Sequence, residues 1–406
     1  MKILMLAPQP FFEPRGTPIS VYQRLEGLSS LGHEIDLVTY HVGRDVHIPN
    51  VRVHRIPRVP FIKEVKIGPS WIKPFLDVLL TQVAIFKLLT RRYDVIHSHE
   101  EAAFIAVILG AIFRIPHVYD MHSSLPRQLS NFGVGNRRAL IRLFEWLERL
   151  ALNTCHAVIT IDPELEQYVH SVNPSVRQMR IENRAIPARH SLVDADLVRQ
   201  LKSNASLSSR QLIVYTGTFE RYQGLDLLLQ SARIVKKHNE RALFVLVGGK
   251  VRQIEQFRAI ARQEGVEDCV VFVGVVAPDE AIAYLEIADV LVSPRTSGAF
   301  APLKIYTYLR SGKPTVATRV AAHAKLLSDE IALIVEPNKE MLAEGILSLL
   351  ENSEQRQLLG ERARQHALER HDNGDYGVRL EQIYKSVGTV APTTCTSTGR
   401  LEKNEV

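Results

Sequence analysis

The chain has 406 residues, 46% of them hydrophobic and 23% charged, with a formal net charge of +6. That is the ordinary globular range and long enough for two domains, each burying its own core, which excludes a largely disordered or collagenous chain. Cys155, Cys269 and Cys395 are isolated and form no CxxC pair, so neither a disulfide framework nor a zinc site is expected, and a reducing cytoplasm fits best. The chain opens on Met1 and Lys2 and runs directly into ILMLA, too short for a signal h-region, so secretion is not expected.

In chain order, Lys2 to Ala7 reads as a strand and Pro18 to Leu31 as a helix, with Leu25, Leu28 and Leu31 on one stripe before the terminating Gly32. Ile35 to Tyr40 is the next strand. Val95 to His97, the apolar segment from Ala102 and His117 to Asp120 continue a strand and helix alternation, and Val158 to Ile161 adds a late strand. This order describes a doubly wound parallel sheet. Ala102 to Phe113 is an unbroken apolar run well short of the ~20 residues that span a bilayer, so it reads as a helix packed on the sheet.

Trp71 to Arg92 mixes Trp71, Phe75, Leu79 and Phe86 with Lys73, Lys87, Arg91 and Arg92, and follows the basic stretch RVPFIKEVK. Two readings stand side by side: an amphipathic segment on an anionic membrane surface, or a core helix with a solvated basic rim. The positive net charge suits the first. No recognition motif for nucleic acid accompanies that charge.

A polar stretch from Ala188 to Arg210 is read as the linker to a second unit. There, Ile213 to Gly217 is a strand followed by TFERYQGLDLLLQSARIV, apolar at helical spacing after Gly224. Leu243 to Lys250, LFVLVGGK, is a strand ending in paired glycines, and Asp279 to Ala288 and Lys339 to Leu350 read as helices. In SPRTSGAFAPLKIYTYLRSGKPTV, Ser293 to Val316, a strand enters a glycine-containing loop that opens a helix ending at Gly312. Such a turn aims free N–H groups at an anion, and Lys304 in the first turn adds a full positive charge. Arg221 offers a planar fork suited to phosphate, while Gly217 and Gly248 permit close backbone approach. An ordinary strand, loop and helix, with Lys304 solvated and Gly312 as a C-cap, fits the last segment alone. The order of three such loops beyond strand ends favours a phosphate-bearing ligand.

These segments resemble glycosyltransferase family 4. The resemblance runs from Met1 to about Ser386, through MKILMLAP, RGTPISVYQRLEGLSSLGHEIDLVTY, DVIHSHE and VYDMHSS, then YTGTFERYQGLDLLL, FVLVGG, VVFVGVV, IADVLVSP and PLKIYTYLRSGKP. It implies an α/β GT-B fold, two doubly wound Rossmann-like domains facing across a cleft. The expected division is an acceptor-side domain over 1–190, a nucleotide-sugar-binding domain over 191–365, a helix at 366–388 returning to the first domain, and a disordered tail over 389–406.

The resemblance implies transfer of a sugar from a nucleotide diphosphate donor, with retention of configuration, to a glycan or lipid-linked acceptor in cell-envelope or exopolysaccharide synthesis. His122, Arg221 and Lys304 are the expected catalytic residues: a hydrogen bond from His122 to a sugar hydroxyl, and charge stabilisation of the leaving diphosphate by the two cations. Gly16, Gly217, Gly248, Arg295 and Thr307 are expected at the donor, Arg15 and Glu100 at the acceptor. No cofactor or metal is expected. His97 and His99 with Glu100 and Glu101 invite a metal reading, yet no third ligand is apparent at suitable spacing.

The sequence departs from the family where paired glutamates are usual, at Ala299 and Thr307, and where a lysine is usual, at Gln223. Thr307 cannot hold both ribose hydroxyls as a carboxylate does. A non-catalytic GT-B protein that binds a sugar nucleotide or glycan and supports a partner enzyme is therefore the alternative. The transferase is expected in the cytoplasm, either free or peripheral at the inner face of the cell membrane.

Overall fold

The computed structural model describes residues 1–13, 16–65, 70–126, 138–183, 195–297, 302–371 and 375–388. Two parallel sheets organise them. The first has seven strands: β1 (Lys2–Ala7), β2 (Glu34–Thr39), β3 (Val51–Arg55), β4 (Val95–His99), β5 (His117–Met121), β6 (Ala157–Thr160) and β7 (Arg177–Arg180), in the order β3-β2-β1-β4-β5-β6-β7. The second has six: β8 (Gln211–Thr216), β9 (Ala242–Val247), β10 (Val270–Gly274), β11 (Val290–Ser293), β12 (Thr315–Thr318) and β13 (Leu333–Val335), in the order β10-β9-β8-β11-β12-β13. Each sheet reverses its direction of winding once, between β1 and β4 and between β8 and β11. Such a switch point opens a crevice beyond the carboxyl ends of the strands.

Helices cover both faces, so β1 and β9 are apolar on both sides rather than alternating. In β1, Ile3 and Met5 pack with Leu25 and Leu28 of the helix Gly16–Ser30, and with Leu380 and Tyr384 of the C-terminal helix Asp375–Gly388. Leu4 and Leu6, one residue out of phase, pack with Leu76, Leu80 and Ala84 of the helix Lys73–Thr90 and with Ala102 and Ala106 of the helix Ala102–Phe113. The second sheet is sandwiched likewise, with Phe244 and Leu246 on one side and Leu243 and Val245 on the other.

The C-terminal helix therefore lies on the first sheet, although it follows the last elements of the second. Ion pairs also join the two units: Lys250 Nζ to Glu64 at 2.5 Å, and Lys325 Nζ to Glu164 at 2.7 Å and to Asp162 at 3.5 Å. The first pair is well exposed on both partners and so contributes little to stability.

The stretch read as a linker carries structure of its own. Ala195–Ser203 is helical, with Leu201 packed against the second core, because Leu197, Val198 and Leu201 recur at helical spacing. Arg15, Ala299 and the tail from 389 lie outside the described residues.

Candidate active site

Site residues expected from the sequence fall beyond the strand ends on either side of the two switch points. In the first sheet, Gly16 opens the helix after β1 with φ +38°, and Glu100 follows β4 with φ +50°. His122 follows β5 directly. Glu100 ties these loops together: Thr17 Oγ1 donates to its Oε1 at 3.5 Å and Ser123 Oγ to its Oε2 at 3.1 Å. Burial, with help from the Glu101 charge, pushes the Glu100 carboxyl up to about 7. Beside it, Lys73 pairs with Glu101 at 3.1 Å, and Tyr40 donates to Asp77 at 2.6 Å.

The loop bearing His122 is anchored from behind by Glu148, which is fully buried. Its carboxylate accepts from Ser124 Oγ, the Leu125 amide and Tyr168 Oη at 2.6–2.9 Å. His122 itself is 5% exposed. Burial pushes its imidazole down to about 4, against the smaller opposing pull of Asp120, so the ring is neutral near pH 7. A neutral imidazole can exchange a hydrogen bond with a hydroxyl, the role the sequence reading gave it.

Sequence spacing missed one member of the histidine cluster. In-register pairing of β4 with β5 sets Asp120 opposite His99, and the side chains of His97, His99 and Asp120 converge within 4.8 Å. The expectation that no third ligand accompanies the histidines is thus corrected, since strand pairing rather than local spacing supplies it. The donor atoms are nevertheless engaged. Arg24 Nε donates to Asp120 Oδ2 at 2.7 Å, and a dication there would face that guanidinium at short range. His97 Nδ1 meets Tyr384 Oη at 2.6 Å. The set is a hydrogen-bonded core that fits a metal poorly.

In the second sheet three loops meet backbone to backbone. A Cβ on Gly224 would lie 1.9 Å from Pro294 O, and one on Gly248 1.9 Å from Gly217 O, so neither site admits a side chain without the backbone moving. Gly217 has φ +143° and leaves room for Lys304, whose Nζ would stand 3.6 Å from a Cβ there. Lys304 lies in the first turn of the helix Leu303–Ser311, donates to Gln223 Oε1 at 3.0 Å, and sits 3.9 Å above the Tyr215 ring.

Arg295, 8% exposed, stacks over Tyr222 at 4.9 Å and donates through Nε to Ser297 O. Beneath it, His323 joins Ser293 Oγ and Thr318 O, while Thr318 Oγ1 donates to Arg295 O. Burial first, then the Arg295 charge, hold the Lys304 ammonium well below its usual range, and no carboxylate among the described residues offsets either. Two cations in one pocket, one of them without an acidic partner, favour an anion.

Arg221 is less committed. It begins the short turn Arg221–Gln223, is exposed, and makes no side-chain hydrogen bond or ion pair among the described residues. Thr307 has a buried hydroxyl with no partner among the described residues.

Family models match both units in series. Residues 14–182 match the model described as Glycosyltransferase Family 4, and residues 199–366 the model described as Glycosyl transferases group 1. The chain belongs to the family 4-like GT-B glycosyltransferases. The transferase is 22% identical over 365 residues to alpha-D-kanosaminyltransferase of Streptomyces kanamyceticus, covering 86% of this chain and 92% of that one. In fold it is similar to sucrose-phosphate synthase from Thermosynechococcus elongatus, with a TM-score of 0.74 and 19% identity over 95% of this chain and 99% of that one. It is similar too to Anabaena Alr3699/HepE in complex with UDP-glucose, with a TM-score of 0.69 and 16% identity over 96% of this chain and the whole of that one. These relationships support a catalytic transferase rather than a non-catalytic binding protein.

Proposed function

We propose that the transferase binds a nucleotide diphosphate sugar across the loops after β8, β9 and β11, and transfers the sugar with retention to a glycan or lipid-linked acceptor of the cell envelope or an exopolysaccharide. The observation that carries this reading is Lys304, held beside Arg295 at a helix N-terminus with no carboxylate among the described residues to neutralise it. A diphosphate relieves that repulsion and accepts from the helix amides. The complex of the similar HepE protein with UDP-glucose supports the donor class.

In the proposed reaction the acceptor hydroxyl approaches the anomeric carbon on the face from which the diphosphate departs. The bond from carbon to phosphate oxygen breaks, the bond to the acceptor oxygen forms, and the acceptor proton passes to the leaving phosphate oxygen. No protein nucleophile is required. Negative charge grows on the diphosphate, where Lys304 is already in place and Arg221 is exposed and close in sequence to Gln223, which contacts Lys304. His122 holds a sugar hydroxyl, and Glu100 faces the acceptor. Metal is not required, because the two cations supply the charge a dication would bring.

A lipid surface fits the outer side of the helices that cover the face of the first sheet away from the C-terminal helix. Trp71 is 81% exposed, and Phe75, Phe86 and Leu89 of the helix Lys73–Thr90 are exposed as well, beside Arg92. The adjoining helices Ala102–Phe113 and Arg138–Thr154 add exposed Ile112 and Trp146. No helix among the described residues is long and apolar enough to cross a membrane. An apolar face with a basic rim lies on an anionic bilayer rather than through it.

Donor use is tested with a panel of nucleotide diphosphate sugars and chelator present. Slow release of the nucleotide diphosphate from one donor supports the reading. Release that appears only with added magnesium contradicts the metal-independent mechanism.

A further inference from the structure

Four aromatic side chains form a continuous buried row from the C-terminal helix to the loop after β5. Tyr384 Oη lies 2.6 Å from His97 Nδ1, His97 Nε2 lies 3.1 Å from His99 Nε2, and His99 Nδ1 lies 3.1 Å from His122 Nε2. Tyr384, His97 and His99 are at most 1% exposed. An imidazole with a single N–H donates from one nitrogen and accepts at the other, so a hydrogen-bonded row of three such rings is polarised one way or the other.

Two observations select the direction. First, the hydroxyl of Tyr384 is sealed from solvent, and its one hydrogen-bond partner among the described residues is His97 Nδ1. Its proton must therefore go to that nitrogen, since an unpaired buried donor is costly. His97 is then protonated on Nε2 and donates to His99 Nε2, His99 donates from Nδ1 to His122 Nε2, and His122 keeps its proton on Nδ1.

Second, Asp120 Oδ2 lies 3.5 Å from His97 Nε2 and 3.7 Å from His99 Nδ1, the two nitrogens that bear hydrogen in this polarity. The reverse polarity would turn two lone pairs on that carboxylate oxygen. Against this stands a single contact, Asp120 Oδ1 at 3.4 Å from the His122 Nε2 lone pair.

We propose that Tyr384 fixes the tautomer of His122 through His97 and His99, leaving Nδ1 of His122 as its protonated nitrogen. His122 Nδ1 makes no hydrogen bond among the described residues, so its N–H is the one the row offers to a ligand acceptor. Tyr384, His97 and His99 are positioning residues: they touch no substrate and act through His122. A helix at the far end of the chain thereby sets which way His122 hydrogen-bonds. The catalytic consequence rests on the placement of His122 at the transferred sugar.

The test is a long-range proton–nitrogen correlation spectrum of full-length protein labelled with nitrogen-15 histidine. The His122 signals are assigned by their loss in His122→Asn, and the spectrum is compared with that of Tyr384→Phe, which removes only the hydroxyl. The expected wild-type spectrum shows His122 protonated on Nδ1. In Tyr384→Phe the Nε2-protonated form should appear, and kcat should fall about tenfold with little change in donor KM. Wild-type His122 protonated on Nε2 overturns the proposal even if the variant fails to fold. So does an unchanged tautomer in a folded Tyr384→Phe. A tautomer shift with unaltered kcat upholds the row and instead removes His122 from the proposed sugar site.

Discussion

Arg24 and Asp120 form a fully buried ion pair, Nε to Oδ2 at 2.7 Å, that joins the first helix to the fifth strand of the N-terminal sheet. The same guanidinium donates to Ile181 O at 2.7 Å and to Tyr376 Oη of the C-terminal helix at 2.8 Å. Burial opposes ionisation of Asp120 most strongly, yet the Arg24 charge together with His122, His97 and His99 holds its carboxyl well below the usual range. Asp120→Asn would leave the guanidinium buried without a counter-charge, a defect of roughly 3–5 kcal/mol. Urea denaturation should show that loss, together with a fall in activity, because Asp120 also faces His97 and His99.

Gly248 makes a sharper test of the donor loops. A side chain at φ +120° is strained, and its Cβ would meet Gly217 O at 1.9 Å. Gly248→Ala should cost about 1–3 kcal/mol and weaken donor binding more than acceptor binding. Calorimetric titration of the variant with donor and with acceptor separates the two.

Stability should fall on mild acidification. Burial holds His99 below the ordinary range, and pushes His117 down to about 3 and His122 and His323 to about 4. The unfolded chain takes up these protons near pH 6.5 and the folded chain does not, so this stability is present above that pH and lost toward pH 4. Burial pushes Glu100 and Asp77 up to about 7, and these act in the opposite sense, holding protons that the unfolded carboxyls release above about 4.5. His33 and His156, also lowered by burial, act with these four imidazoles, so imidazoles outnumber the two carboxyls and unfolding takes up net protons, each worth about 1.4 kcal/mol per pH unit. Melting temperature should drop between pH 7 and 5; a rise would contradict the balance.

The exposed aromatic face yields a prediction independent of catalysis. Trp71→Ser with Phe86→Ser should leave the melting temperature within a few degrees, since both side chains are largely exposed. Flotation with phosphatidylglycerol vesicles should show binding at least about tenfold weaker, and salt should weaken the wild type. Equal flotation of both proteins would remove the membrane surface from the account.

Legibility in the sequence followed distance along the chain. The alternation of strands and helices, the loop glycines and the position of Lys304 were readable because each depends on neighbours within a few residues. The Lys304 surroundings were partly hidden: Gln223 reads as a departure from the family, yet its side-chain oxygen accepts from Lys304, where a second ammonium would repel. Tyr384 is 287 residues from His97, and no spacing rule joins a tyrosine in a terminal helix to a strand histidine. Asp120 became a neighbour of His99 only through the register of two parallel strands. The helix at Ala195–Ser203 was obscured by its polar surroundings, although Leu201 reaches the core.

The donor affinity of Lys304→Ala tests the central claim most directly. Among the described residues the buried ammonium meets Gln223 and the Tyr215 ring and no carboxylate, so its loss should disturb the fold little. Titration of wild type and variant with the preferred nucleotide diphosphate sugar, paired with single-turnover transfer, should show weaker donor binding and a transfer rate lower by about 10²–10³-fold, near 3–4 kcal/mol of barrier. Wild-type affinity and turnover in a folded Lys304→Ala would contradict a diphosphate seated at this helix terminus.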